Sequence, residues 1–225
     1  MESSLAQIIG LVFDLDGTLV ESYAAHIKSW SSAVASFGIK ALEGDIRPHL
    51  GRSSEDIARA LLGRKDDRDV ETAFRLKDEI YLRILPSELK PVRGALETLA
   101  GLKARGYRIS IASSNPTRVI TRSLEAVRLN HLADSIASQD EVKRGKPEPD
   151  LFLLASRKLG LGPGKCLAVG DTAYDVLAGK AAGMKTVAFS GGVQAASDLR
   201  RVLPDYLIRD LCELLVLLPE SGPIV

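Results

Sequence analysis

The chain has 225 residues, 45% of them hydrophobic, enough to bury one sizeable core and a smaller satellite. Its 30 lysines and arginines against 29 aspartates and glutamates leave a net charge of +1, which gives no electrostatic basis for binding nucleic acid or an anionic membrane. Two cysteines, Cys166 and Cys212, lie far apart in apolar stretches and read as core thiols of a reducing, cytoplasmic setting, not as a disulfide or metal ligands.

The first apolar run, residues 8–13, is too short for a signal peptide or a membrane span. Its β-branched and aromatic content predicts a buried strand, with Asp14 and Asp16 emerging together at its carboxyl end. Between Glu21 and Lys90 there is no strand pattern. Three helical stretches are predicted there instead, over residues 23–37, 53–62 and 66–85, with a break at Gly51 and a hinge over residues 86–92. From Tyr107 onward, strand-like runs at 107–112, 135–138, 166–169, 185–189 and 206–208 alternate with helical patterns that start after Asn115-Pro116-Thr117 and Pro147-Glu148-Pro149-Asp150. The alternation predicts an α/β fold, a Rossmann-like and mostly parallel sheet with helices on both faces. The leucine-rich stretch over 207–218 is expected to pack on that core, with a subunit contact as the alternative; either a monomer or a homodimer is compatible with it.

Four polar clusters fall at predicted strand ends: Asp14-Leu15-Asp16-Gly17-Thr18, Ser113-Ser114-Asn115, Lys146-Pro147, and Gly170-Asp171-Thr172-Ala173-Tyr174-Asp175. Each alone has an ordinary structural reading. Asp-x-Asp-Gly is a common turn, Ser-Ser-Asn a common helix cap, and paired acids at a helix start suit the helix dipole. Open α/β sheets, however, place their sites at this edge, and two carboxylates on one strand end repel unless a cation lies between them. In this order the four clusters resemble the motifs of the haloacid dehalogenase superfamily, over nearly the whole chain.

That resemblance implies a core over residues 1–20 and 91–225 and an inserted α-helical cap domain over 21–90. It implies that Asp14 is a nucleophile forming an aspartyl-phosphate, and a carboxylate needs no base to activate it at neutral pH. Asp16 would serve as general acid and then general base, which favours phosphoryl over carbon chemistry. Lys146 would neutralise charge on the phosphoryl oxygens. Backbone amides of Gly17 and Thr18, the Ser113 hydroxyl and the Ser114 amide would meet the phosphate, while Asn115 reads as a cap for the helix that follows. Mg²⁺, a hard cation with oxygen ligands, would be held by Asp14, the carbonyl of Asp16 and Asp171, with Asp175 direct or through water.

Specificity is then expected from the cap. His26 and Trp30 share a helical face near Tyr23; Arg52 sits in a polar loop before a helix; Lys77 lies four residues before Tyr81 on a long charged helix. Packing is the plainer reading for His26, and a solvated surface for Arg52 and Lys77. Several of these positions look like β-phosphoglucomutase, but Ser54 stands where the mutase pattern has arginine. The expected activity is therefore hydrolysis of a small phosphorylated metabolite of the phosphoglycolate or sugar-phosphate class, with a phosphosugar mutase as alternative and a non-catalytic regulatory protein as the remaining possibility.

Overall fold

The computed structural model describes residues 5–63 and 66–220. The chain enters the fold through β1 (Gly10–Phe13) and β2 (Val20–Glu21), then makes four helices: α1 (Tyr23–Ala35), α2 (Glu43–Ile46), α3 (Ser54–Leu62) and α4 (Asp67–Glu88). It returns through β3 (Lys90–Pro91) and α5 (Ala95–Ala104), followed by β4 (Arg108–Ser113), α6 (Thr117–Ala126), β5 (Ser135–Ser138) and α7 (Asp150–Lys158). The last third holds β6 (Cys166–Gly170), α8 (Ala173–Ala181), β7 (Lys185–Phe189), α9 (Ala196–Arg201), β8 (Tyr206–Ile208) and α10 (Glu213–Leu217).

Six strands form one sheet in the order β5-β4-β1-β6-β7-β8, and every neighbouring pair is parallel. Central β1 aligns Phe13 with Ile111 on β4 and Val169 on β6. Strand alternation splits the core in two. Leu11, Phe13, Ile109, Ile111, Leu167 and Val169 face α5, α6 and α10, whereas Val12, Ala112 and Ala168 face α7 and α8. The leucine-rich tail packs inward: Leu211, Leu214 and Leu218 are buried in the larger cluster. Both cysteines are free thiols, Cys166 buried and Cys212 half-buried. No helix among the described residues is long and apolar enough to cross a membrane.

The chain order reverses at β1, with β4 on one side and β6 on the other, so the crevice beyond the carboxyl ends of these three strands is where such sheets bind ligands. All four polar clusters lie along this edge or in the loops beside it. Above it stands the helical block α1–α4, which has its own apolar cluster around Trp30, Val34, Ile46, Ile57, Leu62 and Val70. A smaller cluster of Ala25, Tyr81, Leu85 and Val119 ties α1 and α4 to α6. The antiparallel pair β2–β3, with Val20 opposite Pro91 and Glu21 opposite Lys90, joins the two connections to the sheet.

The helices differ from expectation in three places. The first ends at Ala35, two residues early, and α4 runs past Pro86 to Glu88. A proline this close to a helix end removes only one ladder bond, and the Leu89 amide still closes the last turn on the Leu85 carbonyl. Short α2 and the 3₁₀ turn Arg47–His49 were not expected; four residues that include Gly44 carry too little periodicity to read.

Candidate active site

Asp14 follows the last residue of β1, and its amide continues the ladder onto the Val169 carbonyl at 2.8 Å. The Lys146 ammonium, only 1% exposed, lies 2.5 Å from Asp14 Oδ1 and 2.7 Å from Asp175 Oδ1. Asp175 is held from the other side. Its Oδ2 accepts the Thr172 hydroxyl at 2.6 Å and the Thr172 amide at 3.0 Å, closing a capping box at the start of α8. Asp171 Oδ1 accepts from Thr18 Oγ1 at 3.1 Å, and its Oδ2 accepts from the Val193 amide at 2.8 Å and lies 2.9 Å from the Tyr23 hydroxyl.

One oxygen from each of Asp14, Asp171 and Asp175 falls within 4.8 Å of the others, in a site where all three residues are buried. Like charges about 4 Å apart repel by about 4 kcal/mol at an effective dielectric of about 20, and one ammonium does not balance three carboxylates. The proton affinities record the excess. Burial pushes Asp14 well above the ordinary carboxylate range; Lys146 pulls it back, but Asp175, Asp171 and Asp16 add to the rise. Burial and the charge of Asp175 push Asp171 up to about 7 against its three hydrogen bonds. Lys146 is raised as well: burial disfavours its charge, yet Asp14 and Asp175 more than restore it.

Asp16, two residues on, has a different environment. Its Oδ1 accepts from Ser22 Oγ at 2.5 Å and faces His26 Nε2 at 2.9 Å, and its Oδ2 accepts from Asn115 Nδ2 at 2.5 Å. Burial raises its pKa, but His26, the Ser22 hydroxyl and the charge of Lys77 outweigh that and bring it down to about 2. Burial and Lys77 lower His26 from the usual imidazole range, against the pull of the Asp16 carboxylate that its Nε2 faces. Its ring stacks on Tyr81 at 4.3 Å.

Asn115 departs from expectation: α6 has no side-chain cap from it, because Asp140 Oδ2 accepts the Thr117 amide at 2.8 Å. Gly17 also departs. Its amide donates to the Val20 carbonyl at 2.8 Å, so it closes a turn and does not aim into the cavity, and the Thr18 hydroxyl is taken by Asp171. Ser113 Oγ accepts from the Asn115 amide, and Ser114 Oγ donates to the Gly51 carbonyl at 3.1 Å, a contact between sheet edge and helical block.

Lys77 is not solvated as its charged neighbours suggested. It is buried, 3.2 Å from Asp78 Oδ1, with its ammonium 5.6 Å from the Trp30 ring centroid and 5.2 Å from that of Tyr81. Arg52 is half-buried, 3.6 Å from Asp56. Both line, with Asp14, Asp16, His26 and Asn115, a cavity of about 30 Å³. That is room for about two waters by the usual requirement of about 10–15 Å³ each. A cleft of about 450 Å³ adjoins it, sharing Ser54 and Ser114 and reaching Lys143 and Lys146.

Residues 11–189 match the model of the haloacid dehalogenase-like hydrolases. The chain belongs to that family. Among curated relatives, the pyrophosphatase PpaX of Bacillus velezensis is 27% identical over 93% of this chain and 95% of its own length. Among solved structures, a predicted phosphoglycolate phosphatase from Haemophilus somnus aligns with a TM-score of 0.84 at 25% identity, covering 93% of this chain and 97% of that one. A β-phosphoglucomutase from Clostridium difficile shares the fold, with a TM-score of 0.81 at 18% identity over 92% of this chain and 93% of that one.

The donor set of this hydrolase suits a hard divalent cation. Asp14 and Asp171 are converging buried carboxyl groups in charge excess, and the Asp16 carbonyl is held beside Asp171 by a shared contact with the Tyr23 hydroxyl. Asp175 has one oxygen on Lys146 and the other on Thr172, so it fits a ligand acting through water better than a direct one.

Proposed function

We propose that this chain is a phosphatase that hydrolyses small phosphomonoesters through a phosphorylated Asp14, with residues 21–90 acting as a cap over a core of 1–20 and 91–225. The observation that supports it most is the Lys146 ammonium, buried between Asp14 and Asp175, with the second oxygen of Asp14 left for attack.

In this reading Asp14 Oδ2 attacks phosphorus as the ester P–O bond breaks. Lys146 keeps Asp14 in line and offsets charge gathering on the phosphoryl oxygens, helped by the Ser113 hydroxyl and the Ser114 amide. Asp16 gives the leaving oxygen its proton. The carboxyl holds none in the free enzyme, and the dianionic phosphate arriving beside it raises its proton affinity. Water then attacks the aspartyl-phosphate, and Asp16 takes the proton that water loses. Asp14, the Asp16 carbonyl and Asp171 would hold Mg²⁺, which when bound would supply the charge neutralisation that lets one anion approach another.

The small cavity favours a short leaving group, with Arg52 and Lys77 offering positive charge to a second acidic group on it. The test is phosphate release from phosphoglycolate, hexose phosphates, nucleotides and pyrophosphate, with Mg²⁺ or EDTA. Metal-dependent release, lost in Asp14→Asn, is the expected outcome; conversion of an aldose 1-phosphate to the 6-phosphate faster than phosphate appears would favour the mutase instead.

A further inference from the structure

Tyr23, the first residue of α1, reaches from the helical block into the carboxylate cluster. Its hydroxyl is 2.8 Å from the Asp16 carbonyl oxygen and 2.9 Å from Asp171 Oδ2, so one proton is shared between a backbone and a side-chain acceptor. These are two of the three groups assigned above to the cation, and the inference rests on that assignment. The ring reaches them only because residue 17 has no side chain: a Cβ on Gly17 would lie 2.1 Å from Tyr23 Cε2.

Asp171 is correspondingly sorted, oxygen by oxygen. Oδ2 takes Tyr23 from the block and the Val193 amide from the loop after β7, while Oδ1, among the described residues, meets the Thr18 hydroxyl alone. The ring also forms a wall. It lines the 30 Å³ cavity on one side and, on the other, an outer cleft of about 520 Å³ that runs past Ile27, Arg47 and Val193.

The geometry points to Tyr23 as a positioning residue for the cation: an outer hydroxyl that fixes the orientation of Asp171 and of the Asp16 carbonyl, and is present only when α1 is seated on the core. Groups that hydrogen-bond to metal ligands hold the ligands' orientation, and losing one typically weakens metal binding about 10- to 100-fold. Because the hydroxyl belongs to the block and the ligands to the core, seating of α1 and cation affinity are linked, and each strengthens the other by the same factor.

The experiment is calorimetric titration of the full chain with MgCl₂, wild type against Tyr23→Phe, with thermal unfolding in EDTA as control. The phenylalanine keeps the ring on Gly17 and removes only the hydroxyl. The expected result is roughly tenfold weaker Mg²⁺ binding, with the metal-free unfolding midpoint lowered only as far as the loss of one hydroxyl's hydrogen bonds requires. Equal affinity overturns the inference, and so does tighter binding, which would make the hydroxyl a competitor of the ion. No Mg²⁺ binding by the wild type is a separate result, and it would sink the metal assignment under "Proposed function" itself.

Discussion

The side-chain amide of Asn115 donates to Asp16 Oδ2 at 2.5 Å, joining the loop after β4 to the loop after β1 across the mouth of the site. Asp16 is the proposed proton donor, and proton transfer matters most when the departing oxygen is a poor leaving group. Asn115→Ala is therefore expected to lower kcat/KM for alkyl phosphates by about tenfold or more, and to change it much less for para-nitrophenyl phosphate, whose phenolate leaves unaided. An equal drop with both substrates would show that Asn115 supports the fold and not the acid.

Lys146→Met keeps an aliphatic stem against Phe152, whose ring centroid lies 5.4 Å from the ammonium, and removes the charge between Asp14 and Asp175. Turnover should fall by about 100-fold or more, the scale at which a single positioned electrostatic group acts on a transition state. Steady-state kinetics alongside circular dichroism check this; near-normal turnover from a folded variant would assign the role to another cation.

Asp171 ties stability to pH. Its pKa rises from 3.8 in a free carboxyl to about 7 in the folded, metal-free chain, so between these values the folded state binds more protons than the unfolded one. Stability from this group is thus highest below about pH 4 and declines as pH rises through 7. His26, lowered from 6.5, gives the opposite slope on the acid side. The comparison is accordingly with Asp171→Asn: in EDTA the variant should gain stability over wild type between pH 5.5 and 7.5, with most of the gain over the roughly 1.5 units below pH 7. Chemical denaturation at the two pH values measures it, and Mg²⁺ should reverse the sign by stabilising the wild type at pH 7.5 alone.

Gly192 presses on the same carboxylate. A Cβ there would lie 2.0 Å from Asp171 Oδ2, an atom already fixed by Tyr23 and the Val193 amide, so either the loop or the carboxylate must move. Gly192→Ala should weaken Mg²⁺ binding by about tenfold or more, with hydrolysis falling in step. Calorimetry decides; unaltered affinity would mean the loop yields without disturbing Asp171.

The strand-end clusters were legible because their signal is local. An apolar run that stops at a carboxylate marks its own carboxyl edge, and Asp14, Asp16, Lys146, Asp171 and Asp175 do converge there. What could not be read depends on partners distant in sequence. Asn115 sits where asparagine ordinarily caps a helix, and only Asp140, 23 residues beyond Thr117, frees it by taking that amide. Tyr23 meets Asp171 across 148 residues. Lys77 carries charged neighbours and so reads as surface, but the rings of Trp30 and Tyr81 and the carboxylate of Asp78 cover it. Gly17 reads as a phosphate-binding amide, whereas what the fold requires there is its φ of +78° and the missing side chain that makes room for the Tyr23 ring.

The β2–β3 pair sets the two ends of a 68-residue excursion side by side, since Glu21 and Lys90 are directly opposite and paired antiparallel residues have Cα atoms only about 5 Å apart. An excursion whose ends touch imposes no length on itself. The sheet would keep its strand order with a longer block, a shorter one or a tight turn in its place, so the helices above the strand ends can be exchanged wholesale while the buried carboxylates stay at theirs.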